Sequence, residues 1–143
     1  MDLQQKLNQQ GLRFTEPRRV VLDVLEESEI PLSPQTIHER TSENQADIGL
    51  ATVYRTLDLL TAFDLVRRVH GAGGCHGYVL ASPGHHHTLV CKKCGRAVEF
   101  SGTGDLDALL ESIEEQTGFQ IKDHLLQLEG FCPDCQKVKN EKN

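Results

Sequence analysis

The chain has 143 residues, a net charge of −6, 38% apolar residues, seven aromatics and no Trp, so any core is built mainly from Leu, Val and Ile. That length suits one domain of usual size or two small ones, and two cores so thin would each need help from a metal or a second subunit. No run approaches the eighteen apolar residues a membrane span requires and the first residues lack signal-peptide character, so the expected location is the cytoplasm, with no membrane partner.

The N-terminal half reads as helices. Leu3 and Leu7 mark a short amphipathic helix stopped by Gly11. Thr15 followed by Pro17 looks like a helix start, and Val20, Val21, Val24 and Leu25 then recur at helical spacing. Ser33-Pro34 is a second cap-and-proline start, for a helix through Ile37 to about Glu43. Gly49 opens another, with Val53, Leu57 and Leu60 on one face. Leu65 to His70 and Gly77 to Leu80 read as two strands, with Gly71-Ala72-Gly73-Gly74 as the hairpin turn between them. Helices followed by a hairpin predict a winged helix-turn-helix. In that arrangement the last helix enters the major groove of double-stranded DNA. Its exposed N-terminal half would carry Thr52, Tyr54 and Arg55. Residues 1–82 hold 8 basic and 11 acidic side chains. Positive charge must therefore be local, from Arg13, Arg18 and Arg19 and from Arg67 and Arg68 on the wing, because phosphate neutralisation dominates such binding. A plain three-helix core with solvated arginines is the alternative.

Ser82-Pro83-Gly84 is the expected hinge, with 83–84 separating a unit of residues 1–82 from one of 85–143. The second unit reads strand, strand, helix, strand: His85 to Val90, Arg96 to Phe100, Asp105 to Gln116, then Ile121 to Leu128 with His124, Leu126 and Leu128 on one face. The residues after Gln136 are polar and expected to fray. The fold class is thus α+β, a winged helix followed by a small α/β unit.

Two motifs carry the chemistry. Cys91-Lys92-Lys93-Cys94 and Cys132-Pro133-Asp134-Cys135 are paired CxxC knuckles. In a reducing compartment these read as a tetrahedral Cys₄ structural zinc site. His85-His86-His87 leads directly into the first. On an extended strand His85 and His87 face one way and His86 the other, which predicts two sites. One would use His85, His87, Asp107 and His124. The other would bridge the two units from His86 with Cys75, His76 and His70 in or beside the wing. Two functions from other classes remain: a thiol redox protein, disfavoured because neither CxxC reads as opening a helix after a βαβ strand, and a zinc-ribbon interaction module. No substrate cleft or general base for hydrolysis is visible, so the chain is not expected to be an enzyme.

Four stretches together resemble the ferric uptake regulator family of bacterial metalloregulators: Gly11-Leu12-Arg13-Phe14-Thr15-x-Pro17-Arg18, Gly49-Leu50-Ala51-Thr52-Val53-Tyr54-Arg55, the HHHxLVCxxCG run at 85–95 and the terminal CxxC. The resemblance covers nearly the whole chain. It implies a homodimeric, metal-activated repressor with an N-terminal winged helix and a C-terminal α/β dimerisation domain. Tyr54 and Arg55 fall on DNA-contacting positions, and Arg13 where a basic residue reaches toward the minor groove. The four knuckle cysteines fall on structural zinc ligands, and His85, His87, Asp107 and His124 on one regulatory site. The chain departs from the family at the interdomain site, where Thr88, Val79 and Pro31 stand at customary ligand positions and only His86 is kept. A Cys75 thiolate there would favour Zn²⁺ over Fe²⁺ as the regulatory ion, with iron next and manganese or peroxide sensing after that.

Overall fold

The computed structural model describes residues 3–44, 46–71, 76–82, 86–101 and 106–141, with the side chains of Leu3 and residues 138–141 not described. The expected hinge 83–84, most of the hairpin turn, and the candidate ligands Cys75 and His85 lie outside the described residues.

Helices α1 (Leu3–Gln9), α2 (Glu16–Glu26), α3 (Pro34–Glu43) and α4 (Leu50–Ala62) are followed by strands β1 (Val66–His70) and β2 (His76–Leu80). Each boundary has a local cause. Gly11 takes φ +73 after α1, a region open to glycine. The Ser33 hydroxyl accepts the Thr36 N–H at 3.1 Å, capping α3 ahead of Pro34. Thr15 occupies the cap position of α2, although its side chain makes no capping hydrogen bond. The apolar faces meet in one core that includes Val21, Leu22, Ile37, Val53, Leu57 and Leu60, each at most 2% exposed. Each such side chain stabilises the fold by roughly 1.5–3 kcal/mol. Strands β1 and β2 pair antiparallel, Val66 opposite Leu80 through His70 opposite His76. Leu32 exchanges both backbone hydrogen bonds with Tyr78, at 3.1 and 2.8 Å, and so ties the α2–α3 connection to β2.

The second half contains β3 (His86–Cys91), β4 (Ala97–Ser101), α5 (Leu106–Thr117), β5 (Gln127–Gly130) and α6 (Pro133–Glu141). Its sheet has the order β4-β3-β5, with β3 antiparallel to β4 and parallel to β5. Three expectations are corrected. The last strand does not run from Ile121; it pairs only over Gln127–Gly130, and His124 precedes it in chain without a ladder. Residues 137–141, expected to fray, continue α6 to Glu141, started by Pro133 in the first turn. The second CxxC therefore does open a helix, and it follows a strand parallel to β3.

Burial is uneven. Among the described residues of the second half only His87, Thr88, Val90 and Cys91 are buried, and α5 buries none of its side chains fully. The two halves are joined by specific bonds. The Arg67 guanidinium of β1 meets the Glu99 carboxylate of β4 at 3.1 Å, with the two side chains 22% and 17% exposed. The Ser82 N–H donates to both Glu99 oxygens at 3.2 Å. The Gln127 side chain brackets the His70 backbone, accepting from its N–H at 2.9 Å and donating to its carbonyl at 2.7 Å.

Candidate metal centre and nucleic-acid interface

The first knuckle is the turn from β3 toward β4. Gly95 takes φ +82 there and donates its N–H to the Cys91 carbonyl at 3.0 Å, which folds Cys94 back over Cys91. The second knuckle is the first turn of α6. The two come together because β5 lies parallel to β3 and delivers Cys132 beside Cys91. The Sγ atoms of Cys91, Cys94, Cys132 and Cys135 all lie within 4.8 Å of one another, and none is in a disulfide. Cys94 and Cys132 are 3.8 Å apart. Zinc–thiolate bonds of about 2.3 Å in a tetrahedron put sulfurs about 3.8 Å apart, so the residues fit that ion. The local electrostatics prepare one thiolate. Backbone N–H groups of Cys132 and then Cys94 hold Cys91 down from 9.0 to about 5, the first donating at 3.4 Å. Hydrogen bonding with the Cys132 side chain, followed by burial, pushes Cys135 up to about 12. A redox CxxC needs a depressed, accessible thiol at its helix start. Here the four sulfurs of both knuckles are gathered within reach of one ion, an arrangement for a metal rather than for a lone dithiol.

The histidines divide between two cavities, both walled by the two halves. His86, His87 and His124 line one of about 740 Å³ together with Asp123, Arg67 and Arg68. The His87 ring is buried, with its centroid 5.2 Å from His124 and 5.4 Å from Phe100. Asp107 stands exposed in the first turn of α5, and among the described residues the four cysteines are the only group of three or more candidate ligands within reach of one ion. The structure thus brings His87 and His124 together, does not gather Asp107 with them, and does not describe His85. His70 and His76 line the other cavity, of about 470 Å³, with Glu129 and the first knuckle. Their Nδ1 atoms are 3.1 Å apart. His76 is shifted below its ordinary 6.5 by desolvation, then by Arg68 and His70. The interdomain set expected from sequence is therefore split: His86 faces the cavity of His87, not that of His70 and His76.

On α4, burial of Val53, Thr56, Leu57 and Leu60 turns Tyr54 and Arg55 outward. Arg55 donates to the Thr52 hydroxyl at 3.2 Å, and Gln35 of α3 donates to the Tyr54 hydroxyl at 2.9 Å. The Arg13 side chain is exposed, and its carbonyl receives Arg18 at 2.7 Å. Arg67, expected to add charge on the wing, is instead held by Glu99. Sequence reasoning missed Asp123, Glu99 and Gln127. Glu99 could have been noticed as the charge set among Ala97, Val98 and Phe100 of β4. Nothing local flagged Gln127.

Comparison with known proteins settles the family. The profile of the ferric uptake regulator family matches residues 9–129. The chain belongs to the ferric uptake regulator family. The ferric uptake regulation protein of Legionella pneumophila is 40% identical over 141 residues, covering 95% of this chain and all of that protein. The ferric uptake regulator of Vibrio cholerae superposes with a TM-score of 0.61 at 34% identity, covering 92% of this chain and all of the other. A zinc uptake regulator complexed with zinc and DNA superposes with a TM-score of 0.79 at 23% identity, covering 96% and 92%, a likeness of fold. Like the ferric uptake regulators it resembles, this chain is a metal-responsive transcriptional regulator with an N-terminal DNA-binding and a C-terminal dimerisation unit. The cysteine cluster could hold a structural metal.

Proposed function

We propose that this protein is a metal-activated, sequence-specific repressor of metal-homeostasis genes that binds duplex operators as a homodimer. Residues 1–82 are its reading head, 83–84 its hinge and 85–143 its dimerisation and metal-binding half. Cys91, Cys94, Cys132 and Cys135 hold the structural zinc. Such an ion supplies a fixed tetrahedral junction to a half that buries few side chains of its own. His87 and His124, with His85 and Asp107, are the proposed regulatory ligands, and Asp123 is a further donor at the same cavity.

The observation that carries this reading is the histidine cavity walled by both halves. Whatever occupies it bears on the angle of the reading head, so a ligand that prefers one angle shifts the population toward it. Tyr54, Arg55 and Thr52 face outward for the major groove, and Arg13 and Arg18 for the backbone or minor groove. The dimer is supported by apolar side chains left in solvent on the second half, including Leu125 at 93% and Phe119 at 74% exposure, since a monomer rarely leaves so much apolar surface uncovered.

For the regulatory ion we place Fe²⁺ first. The donors at the His87 cavity are imidazole and carboxylate, which suit iron as well as zinc, and the Legionella and Vibrio relatives are named for ferric uptake. Cys75, on which the expected zinc preference rested, lies outside the described residues, and His86 lines a different cavity from His70 and His76. Zn²⁺ is the second reading. Operator affinity titrated with Fe²⁺, Zn²⁺ and Mn²⁺ side by side tests both. Affinity that rises with Fe²⁺ at the lowest free concentration supports the first reading, a lower threshold for Zn²⁺ supports the second, and binding indifferent to all three ions removes the proposal.

A further inference from the structure

We propose that His70 and His76 form a separate two-imidazole site for a borderline divalent transition ion, clamping the two strands of the wing. The site stands independently of the regulatory ion proposed above and uses none of its ligands.

The geometry begins with the sheet register. His70 ends β1 and His76 begins β2, and the antiparallel ladder sets them directly opposite each other. Residues so paired point to the same face of a sheet. The rings converge with centroids 4.5 Å apart and Nδ1 atoms 3.1 Å apart. Two nitrogens bound to one tetrahedral zinc at about 2.0–2.1 Å stand about 3.3–3.4 Å apart, and adjacent positions of an octahedron bring them closer. The two nitrogens thus already stand at a chelating separation, and rotation of the rings about their side-chain bonds turns them onto a common ion. In the absence of metal, the same separation is that of one imidazole N–H donating to the other ring.

Three features favour an ion over that hydrogen bond alone. Neither ring is in the apolar core, since His70 is exposed and His76 half-buried, so solvent can complete the coordination. The cavity they line, of about 470 Å³, also carries the Glu129 carboxylate. Finally, His70 is anchored: the Gln127 side chain holds both its N–H and its carbonyl, which limits the motion a chelate must suppress. Imidazole donors with little carboxylate select against Mg²⁺ and Ca²⁺ and follow the order Cu²⁺ above Ni²⁺, with Zn²⁺ below Cu²⁺. Because Gln127 belongs to β5, an ion at this pair stiffens the wing and the wing's attachment to the second sheet together.

The test uses the full chain with its cysteine site already loaded with zinc. Further Zn²⁺ is titrated while the ring signals of His70 and His76 are followed by NMR, with Ni²⁺ as a paramagnetic probe. We expect both signals to shift with Zn²⁺ and broaden with Ni²⁺ together, and His76→Gln or His70→Gln to weaken that one equivalent by about tenfold or more. Operator binding under saturating Fe²⁺ should survive either substitution, which separates this site from the regulatory one and checks folding. Ring signals of His70 and His76 that stay unmoved while other histidines titrate, or equal uptake by wild type and both variants, would overturn the proposal and leave the pair as a hydrogen bond.

Discussion

At Gly77 the constraint is steric rather than conformational. A Cβ there would stand 2.5 Å from the Pro31 Cβ and 3.0 Å from the Pro31 carbonyl carbon. The crowding arises because Leu32 pairs with Tyr78 and draws the preceding proline against β2. Gly77→Ala should therefore lower stability by about 1–3 kcal/mol through overpacking, measured as a shift in the denaturant midpoint with an unchanged slope. A neutral effect would mean that the Pro31 connection moves freely. At Arg55 the constraint is recognition. Its guanidinium is exposed and oriented by Thr52 at 3.2 Å. Arg55→Ala should cost about 1–3 kcal/mol of operator affinity and relax base preference at one position. Equal loss on random duplex would instead make Arg55 a phosphate contact.

Elements were legible where the cause was local. The caps at Ser33 and Gly49, the proline at position 34 and the 3.6-residue recurrence of Val53, Leu57 and Leu60 lie within a few residues of what they specify, and α3 and α4 follow them. The alternation of His124, Leu126 and Leu128 suggested a longer strand than exists, because alternation marks an extended chain but not a partner. Only Gln127 onward lies along β3. The polar helix α6 was missed since it has no apolar stripe, although Pro133 just after Cys132 was a usable start signal. The cysteine cluster was legible from spacing alone. The split of the histidines was not, because it depends on how the two halves are set against each other. That setting rests on Arg67 and Glu99, 32 residues apart. Their pair is half-screened from solvent at 22% and 17% exposure, so its coupling should fall between surface and buried values, about 1–2 kcal/mol. A double-mutant cycle with Arg67→Gln and Glu99→Gln measures it. The variants should also shift the metal concentration needed for operator binding, and an unchanged threshold would show that this bond does not set the angle.

Across the whole molecule stability is divided. Among the described residues the first half carries nearly all of the buried apolar side chains, while the second buries Val90 and Cys91 and leaves every side chain of α5 at least partly exposed. On the proposed function the second half draws on a structural zinc and a partner subunit, and structural zinc contributes roughly 10–16 kcal/mol in small domains at neutral pH. Removing zinc with a chelator should release β3, β4 and β5 to rapid hydrogen exchange while α2, α3 and α4 stay protected; uniform protection would show that the sheet holds without metal. The same site fixes a pH dependence. In the metal-free protein Cys91 is lowered to about 5 and Cys135 raised to about 12, so at pH 7 the first is already a thiolate and the second a thiol. Zinc takes thiolates, so loading expels the Cys135 proton but none from Cys91. Protons compete with the metal, and affinity falls as pH falls. Below about 5 the slope steepens by one more proton as Cys91 also protonates. For the metal-free fold Cys91 acts with the same sign, while the raised Cys135 opposes it only above its ordinary 9.0. Unfolded Cys91 titrates near its ordinary 9.0, so its contribution is complete above that pH and is lost as pH drops through about 5. Calorimetric titration with zinc at pH 7, in buffers of different ionisation heat, counts the protons released. Cys91→Ser should leave the Cys135 proton in that count while abolishing the steepening below pH 5, and a wild-type count of four would show that Cys91 enters the reaction protonated.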